Sequence, residues 1–295
     1  MMTKMLHLLR HLTRPAYQVQ GIGLGRLCES VRRHAAKIAP KTALRIDDFR
    51  GASKFNCYLH EHMGGQIFFR GSYSGDQLDL LENILPADGV FIDVGANQGE
   101  FSIAAAAVAK EGKVVAFEPV SRFRRKLSDN ILLNNFAHVE VVSCALGEDE
   151  GSFPLYDQEG EFYDGTYHEG LPSLFASESR KAPCEVVAVR RLDDVLVGFD
   201  ITQVHVIKLD IEGAEWAALR GAEQTLARYR PTLIVEIGRE TCQAAGYEPE
   251  EFARWIIAQG YRLEKVIRSG KTKPITAEDL GDFQNIVAWP SKEQA

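Results

Sequence analysis

From residue 78 onward, short apolar runs alternate with stretches of helical spacing. Residues 89–96 (GVFIDVGA), 113–119 (KVVAFEP), 138–146 (HVEVVSCAL), 204–213 (VHVIKLDIEG), 231–238 (PTLIVEIG), 261–267 (YRLEKVI) and 283–290 (FQNIVAWP) have the length and composition of strands. Residues 99–112, 121–135, 214–230 and 248–260 carry helical patterns between them. Strands that are apolar throughout, separated by helices, imply a mostly parallel sheet covered on both faces, a doubly wound α/β domain. The last two runs have no helix between them, which predicts an antiparallel finish. Residues 1–75 read as a mainly helical appendage with an extended part around 54–75, ahead of a domain over 76–295.

Composition adds little to that picture. The chain has 295 residues, 45% apolar and 25% charged, ordinary for a globular protein. Its five cysteines are scattered and odd in number, with no C-x-x-C pair. Neither a zinc ribbon nor a disulfide framework is supported, and a reducing, cytoplasmic setting is expected. No apolar run is long enough to span a bilayer, and the first residues lack the small-residue cleavage site of a signal peptide.

Charge is more informative because it is uneven. Residues 1–50 hold ten Lys/Arg against three Asp/Glu, a balance of +7. The whole chain is −7, so the remainder carries −14. A basic helical segment of this kind is expected either to pack as a solvated face or to touch an anionic membrane surface or nucleic acid. The acidic main body argues against extended contact with a phosphate backbone.

The candidate chemistry begins at VFIDVGANQGEF, residues 90–101. An aspartate in an apolar strand is costly unless partnered, and Gly95, Asn97 and Gly99 mark a turn leading into a helix. In open α/β sheets ligands lie beyond such strand ends, where a helix N-terminus offers free N–H groups. The spacing is not the G-x-G-x-x-G of a diphosphate site. Asp93 and Asn97 suit a ligand with a positive tail better, and Glu118, some twenty residues after the glycine turn, is placed for ribose hydroxyls. The residues therefore point to an adenosine carrying a cationic tail, S-adenosyl-L-methionine, with turn N–H groups and the cofactor expected to offset the burial of Asp93. Two other motifs are discounted: GIGLGR (21–26) has the wrong spacing and no preceding strand, and HEH (60–62), read as extended, has no third metal ligand nearby.

FIDVGANQGEFS, VVAFEPV, ALGEDEG, VRRLDDVL and above all VIKLDIEGAEWAALRGAE (206–223) resemble the FkbM family of S-adenosylmethionine-dependent methyltransferases. The resemblance covers roughly residues 75–290 and implies a class I methyltransferase fold, Rossmann-like. Its members mostly methylate hydroxyl oxygens of sugars, polyketides and similar metabolites. Asp93, Gly95, Ala96, Asn97, Gly99, Glu118 and Pro119 then correspond to cofactor contacts, with Ala145 and Leu146 beside adenine. The PPY pattern common in amino-group methyltransferases is absent after the fourth strand, which favours oxygen as acceptor.

An alcohol needs help losing its proton, so a general base is expected. On a strand Lys208, Asp210 and Glu212 share a face, and Glu236 ends the neighbouring strand. The expectation is that Asp210 orients or deprotonates the acceptor, Glu212 and Glu236 shape the pocket, and Lys208 balances charge. The alternative is a structural Lys208–Asp210 ion pair with Glu212 at the next helix's N-terminus. No metal is assigned, although magnesium between Asp210 and Glu236 would be chemically reasonable. The 157–183 segment interrupts the alternation. It is expected to fold over the acceptor, with Tyr167, His168 and Ser173 contacting a small-molecule or glycan substrate. An RNA methyltransferase using the basic N-terminus, a non-catalytic cofactor-binding scaffold and, more remotely, an NAD-dependent dehydrogenase are the competing readings.

Overall fold

The computed structural model describes residues 2–18, 22–39, 41–157 and 172–291, with side chains 16–26 outside the description. In chain order the elements are α1 (Met2–Gln18), α2 (Ile22–Ile38), β1 (Leu44–Phe49), β2 (Ser53–Cys57), α3 (His62–Arg70), α4 (Gly75–Ile84), β3 (Val90–Val94), α5 (Glu100–Val108), β4 (Lys113–Phe117), α6 (Ser121–Asn134), β5 (Val139–Val142) and β6 (Ala145–Leu146). Then come β7 (Gly151–Asp157), β8 (Ala182–Arg190), α7 (Leu192–Leu196), β9 (Val206–Leu209), α8 (Glu215–Arg220), α9 (Glu223–Tyr229), β10 (Thr232–Gly238), α10 (Arg239–Ala244), α11 (Pro249–Ala258), β11 (Tyr261–Val266), β12 (Thr272–Pro274) and β13 (Phe283–Pro290).

Eight strands form the main sheet in the order β12-β11-β13-β10-β9-β3-β4-β5. The five from β10 to β5 run parallel, while β13 is antiparallel to both β10 and β11. The doubly wound fold is therefore as expected, antiparallel finish included. Alternation along each strand feeds two apolar layers. Phe91, Val114, Val206, Ile234 and Val287 face one layer, and their chain neighbours Ile92, Val115, Ile207, Leu233 and Ile286 face the other. Each such side chain contributes roughly 1.5–3 kcal/mol on burial.

The first layer also holds Leu6, Phe55, Phe68 and Phe69, so apolar packing runs without a break from residues 1–75 into the sheet. Helix α5 is caught between them, buried from Glu100 through Ala106. A helix enclosed on all sides needs small, apolar residues all round, and the run of alanines meets that need.

Four expectations require correction. Ile67–Arg70, read as part of an extended stretch, is the end of α3, with Ile67, Phe68 and Phe69 fully buried. His60 and His62 share no strand face, since His60 lies in a turn and His62 opens α3. The third strand breaks after Val142, and Ala145–Leu146 joins a separate sheet ordered β6-β8-β7. The helix over 214–230 divides into α8 and α9, where Gly221 packs so closely on the Gly147 carbonyl that a Cβ would stand 2.1 Å from it.

Candidate active site

The chain leaves β3 toward β4 and β5 on one side of the sheet, and β9 and β10 build the other. The reversal between β3 and β9 opens a crevice at the carboxyl ends of the strands, the usual ligand position in this architecture. A cavity of about 840 Å³ lies there. That volume suits a cofactor-sized ligand together with part of a substrate.

Backbone pairing fixes the glycine turn. Gly95 and Ala96 N–H both donate to the Phe117 carbonyl, at 3.1 and 3.0 Å, and Asp210 N–H donates to the Val94 carbonyl at 3.2 Å. Gly95 has φ +79°, and a Cβ there would lie 2.1 Å from the Asp210 carbonyl oxygen. Only glycine lets the two strand ends approach so closely.

Gly95, Ala96, Asn97, Glu118, Pro119, Ala145 and Leu146 all line the cavity, whereas Asp93 and Gly99 do not. Asp93 is wholly buried beneath it. Its carboxylate accepts from Ser102 Oγ at 2.6 Å and lies 3.7 Å from Lys208 Nζ. A hydroxyl and an ammonium, in place of the expected turn N–H groups, thus offset its burial. Burial raises the Asp93 pKa, and Lys208 and Ser102 oppose that shift.

Glu118 is where the motif places it and is 4% exposed. Its two oxygens accept from Asn97 N–H at 2.7 Å and Val120 N–H at 2.8 Å. Burial pushes it up to about 7 against these two bonds. A carboxylate has about four acceptor positions, so two remain for a ligand. Val120, Phe123 and Leu155 form a small apolar cluster beside it, with Ala145 and Leu174 packed against them.

The other end of the cavity is acidic. Ligand-capable oxygens of Asp210, Glu212 and Glu236 all lie within 4.8 Å of one another. Strand β9 ends at Leu209, so the shared strand face expected for Lys208, Asp210 and Glu212 stops short of Glu212. Glu212 instead adopts φ +55°, a conformation that costs a bulky residue energy and persists only when its surroundings impose it. Two contacts from the 172–181 segment impose it: Ser173 Oγ donates to the Glu212 carbonyl and Arg180 Nη2 to Glu212 Oε2, each at 2.7 Å. The acid that satisfies the turn N–H groups of Ile211 and Gly213 before α8 is Glu215.

Lys208 Nζ donates to the Gly95 carbonyl at 3.0 Å and sits 3.4 Å from Asp210. Burial alone would lower its pKa, but Asp210 and Asp93 outweigh burial and hold the ammonium above its ordinary value. Glu236 makes no side-chain hydrogen bond or ion pair among the described residues. Burial, then the charges of Asp210 and Glu212, push its carboxyl far above the usual range. Glu212 is raised to about 8 by burial and Asp210, against the pull of Arg180. Asp210 keeps 35% of its side chain open.

Ser173 is 1% exposed and spends its hydroxyl on Glu212, so it is a brace and no acceptor contact. Tyr167 and His168 lie outside the described residues. The sequence reading missed several cavity residues: His62, Tyr73 and Ser74 from the appendage, and Glu100 and Arg180. The His62 and Tyr73 rings meet edge to face at 5.8 Å. Glu100 ties this corner down by accepting from the backbone N–H groups of Tyr73 and Ser74. Burial first, and then Glu236 and Asp210, raise the Tyr73 phenol above its ordinary value. The one available signal was Glu100, an acid immediately after the glycine turn at the start of an apolar helix.

In all, eight acidic residues line the cavity against three basic ones, and each of those three is engaged by a carboxylate. Such a lining offers carboxyl acceptors to a cationic ligand, with Asp210 kept partly open. AMB antimetabolite synthetase AmbE of Pseudomonas aeruginosa is 30% identical over 232 residues, 68% of this chain but only 11% of that protein. Methyltransferase sdnD of Sordaria araneosa is 24% identical over 231 residues, 68% of this chain and 83% of that protein. A crystal structure of Methyltransferase FkbM from Methylobacillus flagellatus KT overlays with a TM-score of 0.46 at 17% identity, covering 70% of this chain and 44% of that one. The model of the methyltransferase FkbM domain matches residues 93–263, more than half of the chain, from the buried aspartate of the glycine turn through both acid-bearing strands. The chain belongs to the FkbM methyltransferase family.

Proposed function

We propose that this protein is an S-adenosyl-L-methionine-dependent methyltransferase acting on a hydroxyl of a small metabolite or glycan. S-adenosyl-L-methionine, when bound, supplies an activated methyl group on a sulfonium. The residues present fit it. Glu118 retains acceptor positions for ribose hydroxyls, Ala145, Leu146 and Phe123 offer an apolar wall, the glycine turn carries the backbone close, and the acidic lining favours a cationic tail.

The observation that carries the reading is the position of Asp210. Of the three crowded carboxyls, Glu212 is engaged by Arg180, and burial with its acidic neighbours pushes Glu236 toward the protonated form. Asp210 is left as the group that receives the acceptor's proton or orients its hydroxyl, with Lys208 behind it. The oxygens of this trio lie within 4.8 Å of one another, so a divalent cation held there would relieve their mutual repulsion. Transfer is proposed to need no metal, and undiminished activity in a chelator checks this against the cation-bound alternative.

The test has two parts. Calorimetric titration with S-adenosylhomocysteine should give saturable binding where NAD gives none. A labelled-methyl screen over glycans and hydroxylated metabolites should then find an acceptor. Binding of NAD in place of the homocysteine would overturn the cofactor assignment. Methyl transfer to RNA, weakened by replacing the exposed Lys4, Lys37 and Lys41 with glutamine, would overturn the acceptor class.

A further inference from the structure

The molecule's exposed apolar side chains are not evenly spread. Of fourteen large hydrophobic residues left exposed among the described ones, six belong to α1 and α2: Met2, Met5, Leu8, Leu12, Leu27 and Ile38. Four of them lie on α1, and Leu8 and Leu12 are 58% and 66% exposed. At about 100° per residue, Met5, Leu8 and Leu12 fall within a sector of about 60°, with Lys4 and His11 on its edge. The opposite face is fully committed. Leu6 is in the core, and buried Arg10 donates to the Phe68 carbonyl at 2.7 Å and pairs with Asp48. Helix α1 is thus anchored on one side and leaves an apolar stripe uncovered on the other.

Among the described residues of 1–50, the charges left outside ion pairs are basic: Lys4 beside the stripe on α1, Lys37 in the last turn of α2 and Lys41 just after it. The three acids of residues 1–50 are all paired with arginines: Glu29 with Arg32, Asp47 with Arg45, and Asp48 with Arg10 and Arg14. Lys4, Lys37 and Lys41 are exposed. No helix among the described residues is long and apolar enough to cross a membrane.

We infer that α1 docks this protein onto an anionic bilayer surface, its Met5–Leu8–Leu12 stripe entering the headgroup boundary while flanking bases meet lipid phosphates. Nucleic acid would answer the charge and leave the stripe in water. A second copy would cover the stripe and bring two basic faces together. An anionic lipid surface answers both features, as in interfacial amphipathic helices.

The experiment is co-sedimentation of the full chain with phosphatidylcholine vesicles, with and without about one third phosphatidylserine. Binding to the serine-containing vesicles that weakens with salt is expected. The double variant Leu8→Ser/Leu12→Ser should melt as the parent does and lose at least about tenfold in partitioning. Its S-adenosylhomocysteine affinity should be unchanged, which separates this inference from the proposed activity. Failure to bind vesicles, equal binding by the variant, or a parent dimer that the variant converts to monomer would each overturn it.

Discussion

The two ends of the cavity are built on different principles. At the glycine-turn end, proposed for the cofactor, one continuous stretch, residues 90–101, supplies the turn, and Glu118 is held by two backbone N–H groups. The acidic end, proposed for the acceptor, gathers side chains from five separate places in the chain: the α3–α4 corner, the start of α5, the 172–181 segment and the ends of β9 and β10. Its carboxyls crowd one another, and both Glu212 and Glu236 sit well above the ordinary carboxylate range. Glu118 at the first end is held by fixed backbone. The carboxyls at the second depend on one another's protonation, which is the condition under which acid–base work is tuned.

That contrast can be broken by substitution. The largest expected effect is from Asp210→Asn, which should cut turnover on the identified acceptor by about 100-fold or more. Its S-adenosylhomocysteine affinity should stay close to the parent's by calorimetry. Parallel losses of both would show that the ends are not separable.

Glu236→Gln tests the crowding through stability. Below the ordinary carboxyl value of 4.5, folded and unfolded chains both hold the Glu236 proton. As pH rises past it, the unfolded chain releases a proton that the folded chain retains, and the parent loses stability. The variant should therefore match the parent near pH 4 and be more stable by about 1–3 kcal/mol at pH 8 in denaturant melts. A gap that narrows with rising pH would refute the assignment.

Glu118→Gln probes the other end. It keeps the shape but replaces one acceptor oxygen by a donor that faces backbone N–H, so S-adenosylhomocysteine should bind about tenfold more weakly. The smallest effect is expected from Tyr73→Phe. Loss of one hydroxyl beside Glu236 and Asp210 should raise the acceptor KM by about threefold to tenfold and leave product affinity alone. A change confined to cofactor binding would remove the appendage from the acceptor site.

The cofactor end was legible because its residues lie close in sequence and obey local rules. Gly95 follows from the turn, and Glu118 from the end of the next strand. Asp93 was found for the right reason, but its protein partners are not the expected turn N–H groups, since Ser102 lies on the following helix and Lys208 on a strand more than a hundred residues away. Ser173 was mistaken for a substrate contact because nothing in its neighbourhood shows that its hydroxyl reaches the Glu212 carbonyl.

By itself the sequence determined the doubly wound sheet, the antiparallel finish, the glycine turn and the acid-bearing strand ends. Hydrophobic periodicity and turn chemistry act over a few residues and are written directly in the chain. Only the tertiary structure decided that residues 1–75 supply a wall of the cavity, that Arg180 and Ser173 hold Glu212 in a left-handed conformation, and that Glu215 in place of Glu212 satisfies the turn N–H groups before α8. Those facts depend on which distant segments pack together, and burial and Coulomb coupling across such contacts leave no local pattern to read.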